Sequence, residues 1–341
     1  ARLQDIEYLA SLLKYDRSFD ATANNQFEQL VAASRQEAET MSLAQLYLLV
    51  AKASALADNG HTSVSLAPVQ RDFNSIGVRY YHFLDGLYVV RTLAEHQQLI
   101  GGRVIEIDGQ SIDSVLTALK SYFGGAEEWR QLKAIMLLES PEILHAAGLA
   151  ESPSGYTLTV QNKQGATQQV KLSAQMPQAM EDTPVRKPWM TLEATELPDE
   201  SDEWMRSLQY ESDDLLPLYL QKTDQMYLWV PLQNGGGYLR LQAMSNSKEQ
   251  SMSAFFEETI EPLPEGSLRY LVVDLRTNAG GDFSLFVEVA KWLPSKVAAD
   301  GHVYIVVGPQ TFSAGVVGAA LLKYYGGEKS SIIGSPMGDR E

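Results

Sequence analysis

The stretch Leu271 to Gly281, LVVDLRTNAGG, combines residue types and spacing that suit chemistry. Its apolar run, Tyr270 to Val273, reads as a strand buried on both faces of a sheet. Asp274 and Arg276 break the run, and Asn278-Ala279-Gly280-Gly281 comes next as a small-residue turn at the strand's C-terminal end. In open α/β sheets ligands bind at that end, and glycines there let a backbone N–H approach a ligand with no side chain in the way. Roughly thirty residues on, the design repeats: Val303 to Gly308 reads as a strand, Pro309 to Phe312 as a turn, and Ser313-Ala314-Gly315 opens an apolar helix running to about Tyr325. A serine at a strand-to-helix turn among small residues stands where nucleophiles stand in several hydrolase folds. Its hydroxyl is a weak nucleophile until a base takes the proton. His61 sits in the turn Asp58-Asn59-Gly60-His61-Thr62 after a helix, in the kind of loop that rigid neighbours hold; by position alone it reads as a surface turn histidine. His82, His96, His145 and His302 show no metal-ligand spacing with one another, so neither a metal nor a cofactor is expected.

DLRTNAGG resembles the D-L-R-x-N-x-G-G signature of the S41 peptidases, which include the tail-specific (C-terminal processing) proteases, the tricorn core and the retinoid-binding modules of photoreceptors. The order of elements also fits: signature, helix, strand, serine on a helix, strand, then a G-x-x-x-G turn, here Gly334 to Gly338. The likeness covers Tyr238 to Glu341 well and the earlier chain loosely. It implies a crotonase/ClpP-like sheet-and-helix core with Ser313 as nucleophile. It also implies an oxyanion hole built from the N–H groups of Gly280 or Gly281 and of Ala314, with Asp274, Arg276 and Asn278 bracing the loop. Members that use lysine as base carry it shortly after the G-x-x-x-G turn. Asp339 and Arg340 stand there instead, and neither can replace it, since one is anionic and the other stays protonated. Lys323, ten residues after Ser313 on the same helix, points away from the serine. Members without the lysine have a helix followed by a turn bearing a His-Thr pair, and the likeness of residues 58–62 to it implies His61 as the general base. An imidazole base would make activity rise through roughly pH 6 to 7. The acid that orients the imidazole has no candidate in the chain. The family core continues for another strand or two, so further residues are expected after Glu341.

Composition narrows the partners. The chain has 341 residues, enough for two or three domains, with 45% hydrophobic and 21% charged residues, as in an ordinary globular protein. A net charge of −16 argues against nucleic acid and anionic membrane as partners. With no cysteine there is no disulfide, thiolate metal site or thiol nucleophile. No apolar run approaches membrane-spanning length. The start at ARLQD reads as a processed N-terminus from which an export signal was removed, which with the absence of cysteine suits an extracytoplasmic protein.

Three parts are expected. In residues 1–66, helical spacing over Asp5–Lys14, Asn24–Glu37 and Ser42–Ala57 predicts a helical region, with Ser42 as an N-cap and a short strand at Thr62–Leu66. Residues 67–175 predict a PDZ-like domain: strands at Val78–Leu84, Gly86–Leu93, Arg103–Asp108, Tyr156–Gln161 and Gln169–Leu172, a helix at Ile112–Tyr122, and a helical insert over Gly125–Gly148. LIGGRVIEIDGQSI, residues 99–112, resembles the strand–turn–strand of PDZ domains, which take a peptide end as an added strand. Residues 176–341 hold the S41-like core. It is preceded by an exposed connector, 176–214, whose acidic run Glu196–Glu203 reads as a solvated face, and by strands at Pro217–Leu220, Met226–Val230 and, after a Gly235-Gly236-Gly237 turn, Tyr238–Ala243. Two functional classes remain open: a serine peptidase cleaving peptides or unfolded protein segments, and a catalytically silent binding protein for peptides or apolar ligands. A crotonase-type acyl-CoA enzyme is a distant third.

Overall fold

The N-terminal helices begin where short polar side chains can accept their first free N–H groups. The computed structural model describes residues 1–176, 184–208 and 215–340. Asp20 caps α2 (Ala21–Glu37) through Ala23 N–H, and Ser42 with Gln45 forms a reciprocal capping box on α3 (Leu43–Ala55). With α1 (Arg2–Ala10) they enclose Ile6, Leu9, Phe27, Val31 and Leu49. The opposite side of α3 gives Ala44, Tyr47 and Leu48 to a second core, which Val78, Tyr80, Val104 and Leu158 complete from a sheet. Because α3 serves both cores, residues 1–66 do not separate from the sheet that comes after them. The chain divides into two compact units, 1–209 and 210–341.

The rest of the first unit comprises α4 (Ala67–Arg71), β1 (Val78–Phe83), β2 (Gly86–Leu93), β3 (Arg103–Ile107), β4 (Gln110–Ser111), α5 (Ile112–Lys120), α6 (Glu127–Leu137), α7 (Pro141–Ala146), β5 (Gly155–Gln161), β6 (Thr167–Ser173) and β7 (Trp204–Arg206). The sheet is antiparallel in the order β1-β2-β3-β5-β6, with β4 on β3 and β7 on β2. Thr62–Leu66, expected as a strand, is irregular. Side chains anchor it instead: Thr62 Oγ1 donates to Asp16 (2.6 Å), and Ser65 O accepts from Tyr47 (3.0 Å).

The described parts of the expected connector are only partly exposed. β7 pairs with β2, Trp204 is buried, and of the acidic run Asp199 and Glu200 turn inward while Glu196, Asp202 and Glu203 stay exposed. Glu200 pairs with Arg91 at 2.5 Å. Arg79 reaches Asp199 (3.2 Å) and Glu139 (3.3 Å), and Arg186 bonds the same two carboxylates. Sequence alone could not show this, because Arg79 and Arg91 lie more than a hundred positions upstream on strands. Residues 177–183 and 209–214, also assigned to the connector, lie outside the described residues.

The second unit alternates strand and helix: β8 (Tyr227–Leu232), β9 (Gly236–Leu241), α8 (Met252–Thr259), β10 (Leu268–Asp274), α9 (Ser284–Trp292), β11 (Val297–Val307), α10 (Ala314–Gly326) and β12 (Ser330–Gly334). The sheet order is β12-β11-β10-β9-β8, parallel from β12 to β9 and closed by the antiparallel β8–β9 pair. The two strands anticipated at Tyr270 and Val303 are thus direct neighbours. Gly236 and Gly237, expected as a turn, begin β9, because the Tyr270 and Trp229 rings lie where their side chains would be. Residues 217–220 form a 3₁₀ turn at Leu218–Leu220 rather than a strand. Their carbonyls face the buried Arg240 guanidinium, which bonds Tyr219, Gln221, Lys222 and Gln225 O. Apolar side chains of one sheet face, among them Leu239, Leu271, Val273 and Ile305, form a core with the helices, while Tyr270 and Val272 on the other face are half-buried and Tyr304 is exposed, so β10 is not buried on both faces as expected. No helix among the described residues is long and apolar enough to cross a membrane.

Burial alone would raise the Asp199 pKa, but Arg186 and Arg79 outweigh it and hold the carboxyl below its ordinary value. Its stabilisation is therefore full above about pH 4, the ordinary aspartate value, and is lost as pH falls through the lower folded value. Asp199→Asn should cost about 3 kcal/mol at neutral pH, as for a broken buried pair. Denaturant unfolding should show the gap from wild type narrowing below about pH 4.

Candidate active site

β10 ends at Asp274, whose carboxylate is 1% exposed. Tyr238 Oη donates to it at 2.8 Å, and Arg276 reaches it through Nε (3.0 Å) and a terminal nitrogen (2.5 Å). The Arg276 guanidinium also lies 4.2 Å from the centre of the Tyr219 ring. Burial works against the Arg276 charge, but the hydrogen bonds and charge of Asp274 prevail and raise its pKa. Burial, with the Asp274 charge added, raises Tyr238 as well, so its hydroxyl stays a donor.

Asn278, wholly buried, ties three segments together. Its Nδ2 donates to Leu241 O at the end of β9 (3.1 Å), its Oδ1 accepts from Gly280 N–H (3.0 Å), and its backbone carbonyl accepts from Phe312 N–H (3.0 Å). Thr311 adds two links: its hydroxyl donates to Leu275 O at 2.7 Å, and its carbonyl accepts from Gly338 N–H at 3.0 Å. The signature loop, the serine loop and the G-x-x-x-G turn are thereby fastened to one another.

Ser313 comes directly after, with φ 50° and ψ −124°. A non-glycine residue in that region stores about 1–3 kcal/mol of strain, which persists only where the surroundings enforce it. Gly280 (φ 106°) packs against it so closely that an added Cβ would lie 2.8 Å from Ser313 Cβ and 3.3 Å from Ala314 N. Gly315 is equally hemmed in by Asn278. Ser313 is half-buried, and within residues 215–340 nothing hydrogen-bonds its Oγ. Its N–H donates to Asp339 Oδ2 at 3.0 Å.

The expected oxyanion donors differ in state. Gly280 N–H is committed to Asn278, contrary to its expected donor role. Gly281 N–H and Ala314 N–H have no hydrogen-bond partner among the described residues, and Ala314 is 3% exposed. Sequence reasoning missed the roles of Thr311 and Met244; Met244 O accepts from Asp282 N–H, and its N–H donates to Gly280 O.

Inside this unit neither remaining base candidate reaches the serine. Lys323 Nζ donates to Gly327 O and Ser330 O at the far end of α10, about 15 Å along the helix. His302 bonds Ser331 near the opposite end of the sheet, five residues and roughly 17 Å before β11 ends.

His61 lies in the first unit and is exposed, while its neighbours are pinned. Asp58 pairs with Arg130, Asn59 bonds Ser18 (3.2 Å) and accepts from His61 N–H (2.8 Å), and Thr62 and Ser63 bond Asp16 and Lys133. Gly125 (φ 93°) lies against Gly60 so closely that a Cβ would come within 2.8 Å of its nitrogen.

The family model described as Peptidase family S41 matches residues 235–298, from the start of β9 into β11. Ser313 lies just past that match. No curated protein matches the sequence. Among solved structures, mature CPAF complexed with lactacystin aligns with TM-score 0.61 and 14% identity, over 98% of this chain and 84% of that one. Mature CPAF by itself aligns with TM-score 0.60 and 14% identity, over 98% and 83%. At that identity the likeness is one of fold: a mixed α/β architecture with two sheets and flanking helices. The family-model match over residues 235–298 marks the segment from β9 into β11 as similar to peptidase family S41.

Asn278→Ala would leave Gly280 N–H and Leu241 O without their buried partner. A loss of about 1–3 kcal/mol is expected in denaturant unfolding. An unchanged midpoint would show that Asn278 does not hold these loops.

Proposed function

We propose that the protein is a serine peptidase that cleaves peptides or unfolded protein segments through an acyl-enzyme on Ser313. The observation that carries this reading is the strained Ser313 elbow beside an uncommitted, buried Ala314 N–H. Strain at a serine on a strand-to-helix turn is the geometry that exposes a nucleophile. In the proposed reaction the imidazole of His61 takes the Ser313 proton as Oγ attacks the peptide carbonyl carbon. The N–H groups of Ala314 and Gly281 receive the oxyanion, a contribution of about 3 kcal/mol per donor in comparable sites. Collapse expels the amine, which leaves with the proton from the imidazolium, and water then releases the acyl group by the same steps in reverse order. His61 is assigned on the resemblance of residues 58–62 to the His-Thr turn of S41 members without the lysine; inside the second unit His302 and Lys323 are engaged elsewhere. An extracytoplasmic location accords with the absence of cysteine.

A second reading, a silent binding protein of the same fold, draws on one observation. The Asp339 carboxylate on Ser313 N–H places negative charge beside the hydroxyl and opposes its ionisation.

A fluorophosphonate probe separates the two. Labelling of Ser313, lost in Ser313→Ala and reduced at least about a hundredfold in His61→Ala, is expected of the peptidase. Absence of labelling in the wild type would favour the binding protein. Ser313→Gly should abolish turnover while raising stability by about 1 kcal/mol, because glycine adopts φ 50° without strain.

A further inference from the structure

Lys133 on α6 is 8% exposed and has no carboxylate within ion-pair distance among the described residues. Its ammonium lies 5.0 Å from the centre of the Trp129 ring and 5.6 Å from that of Phe123. Its one hydrogen bond among the described residues runs to Ser63 Oγ at 2.7 Å, two residues beyond His61. Burial pulls the amine's pKa down to about 8. Charges on the neighbouring elements are directed elsewhere: Arg130 of α6 bonds Asp58, and Lys52 of α3 lies over Tyr122 at 5.6 Å. A buried ammonium without a counter-ion destabilises a fold, and a methionine of similar length would fill the slot between two rings without that penalty. What the lysine does at this position is fasten Ser63.

We propose that Lys133 is a positioning residue for His61: clasped by two aromatic rings, it anchors Ser63 and so fixes the backbone of residues 59–63 with the imidazole at the surface. The proposal rests on the assignment of His61 as general base. The loop is held from both flanks, by Asp16 and Ser18 on one side and by α6 on the other. Of these anchors, only Lys133 adds a cost to folding while providing a hold. A residue kept for stability alone would weaken the protein when replaced by methionine. A positioning residue would leave the protein as stable or more so, and loosen the loop.

The experiment compares wild type with Lys133→Met, Lys133→Arg and Ser63→Ala, reading amide hydrogen exchange at residues 60–63, melting temperature and peptide turnover. Lys133→Met is expected to keep or raise the melting temperature and to speed exchange in the loop about tenfold. It should lower kcat about tenfold at unchanged KM, as a displaced base does. Ser63→Ala should reproduce the exchange and kcat effects, and Lys133→Arg, which keeps a cation between the rings, should restore part of both. Unchanged loop exchange in Lys133→Met and Ser63→Ala overturns the proposal, as does faster exchange with unchanged turnover in an active enzyme. If the wild type hydrolyses no peptide, the Ser313–His61 assignment falls, and the exchange measurement alone then decides whether Lys133 holds the loop.

Discussion

The second unit depends on one buried amide. Asn278 gives its side-chain donor to β9, its side-chain acceptor to its own loop and its backbone carbonyl to the serine loop. Each of those partners is a main-chain group at the end of a strand, where the ladder has stopped and the obligation to pair has not. An aspartate could not donate to Leu241 O, and a leucine could satisfy neither group. Thr311 closes the other side of the same knot, so Ser313 inherits a backbone conformation it would not choose. The strain at Ser313 is sustained by hydrogen bonds made two residues away on either side, which is how a positive φ persists at a non-glycine residue.

In the first unit the corresponding constraint is charge. Arg79, Arg91 and Arg186 are nearly or wholly out of water, and the carboxylates that answer them come from α6's end and from the segment after residue 184. Pairs of this kind add little net stability over well-packed apolar groups, but they penalise any arrangement that leaves one partner alone. They dock a polar, proline-containing segment onto a sheet that offers it only the three-residue strand β7. Arg79 also stacks 4.3 Å from the Trp204 ring, so the charge cluster and β7 are fixed together.

How much of this was legible depends on the range of the interactions. The strands β10 and β11, the serine helix and the helices of residues 2–55 are written in local periodicity and capping residues, and were read with small boundary shifts. The signature loop was legible because its residues act within one turn: Asp274 with Arg276, Asn278 with Gly280. Glu200 looked solvated because its partner Arg91 is 109 residues away, and Gly236-Gly237 looked like a turn because the rings that require them belong to other strands. Thr62–Leu66 has the alternation of a strand, yet no strand lies beside it, and anchors on the turn after α1 and on α6 decide its course. The contact between Gly280 and Ser313 joins two motifs 33 positions apart, so each motif was readable and their meeting was not.

The amides around the serine elbow divide by whether they are already bonded. Along residues 311–316, the N–H groups of Thr311, Phe312, Ser313, Gly315 and Val316 are bonded to Gly308 O, Asn278 O, Asp339, Phe312 O and Ser313 O. Ala314 N–H is the exception in that run. It is shielded from water and stands at the positive end of a thirteen-residue helix. In the facing loop the amides of Asn278, Gly280 and Asp282 are turned inward to Leu275 O, Asn278 Oδ1 and Met244 O, so an intervening amide such as that of Gly281 is turned away. The same bonds that build the knot therefore sort the amides into those that hold structure and those with no acceptor among the described residues. A buried donor without an acceptor costs the folded protein about 1–3 kcal/mol. In the proposed reaction that cost would fall as the negative oxygen of the tetrahedral intermediate arrives.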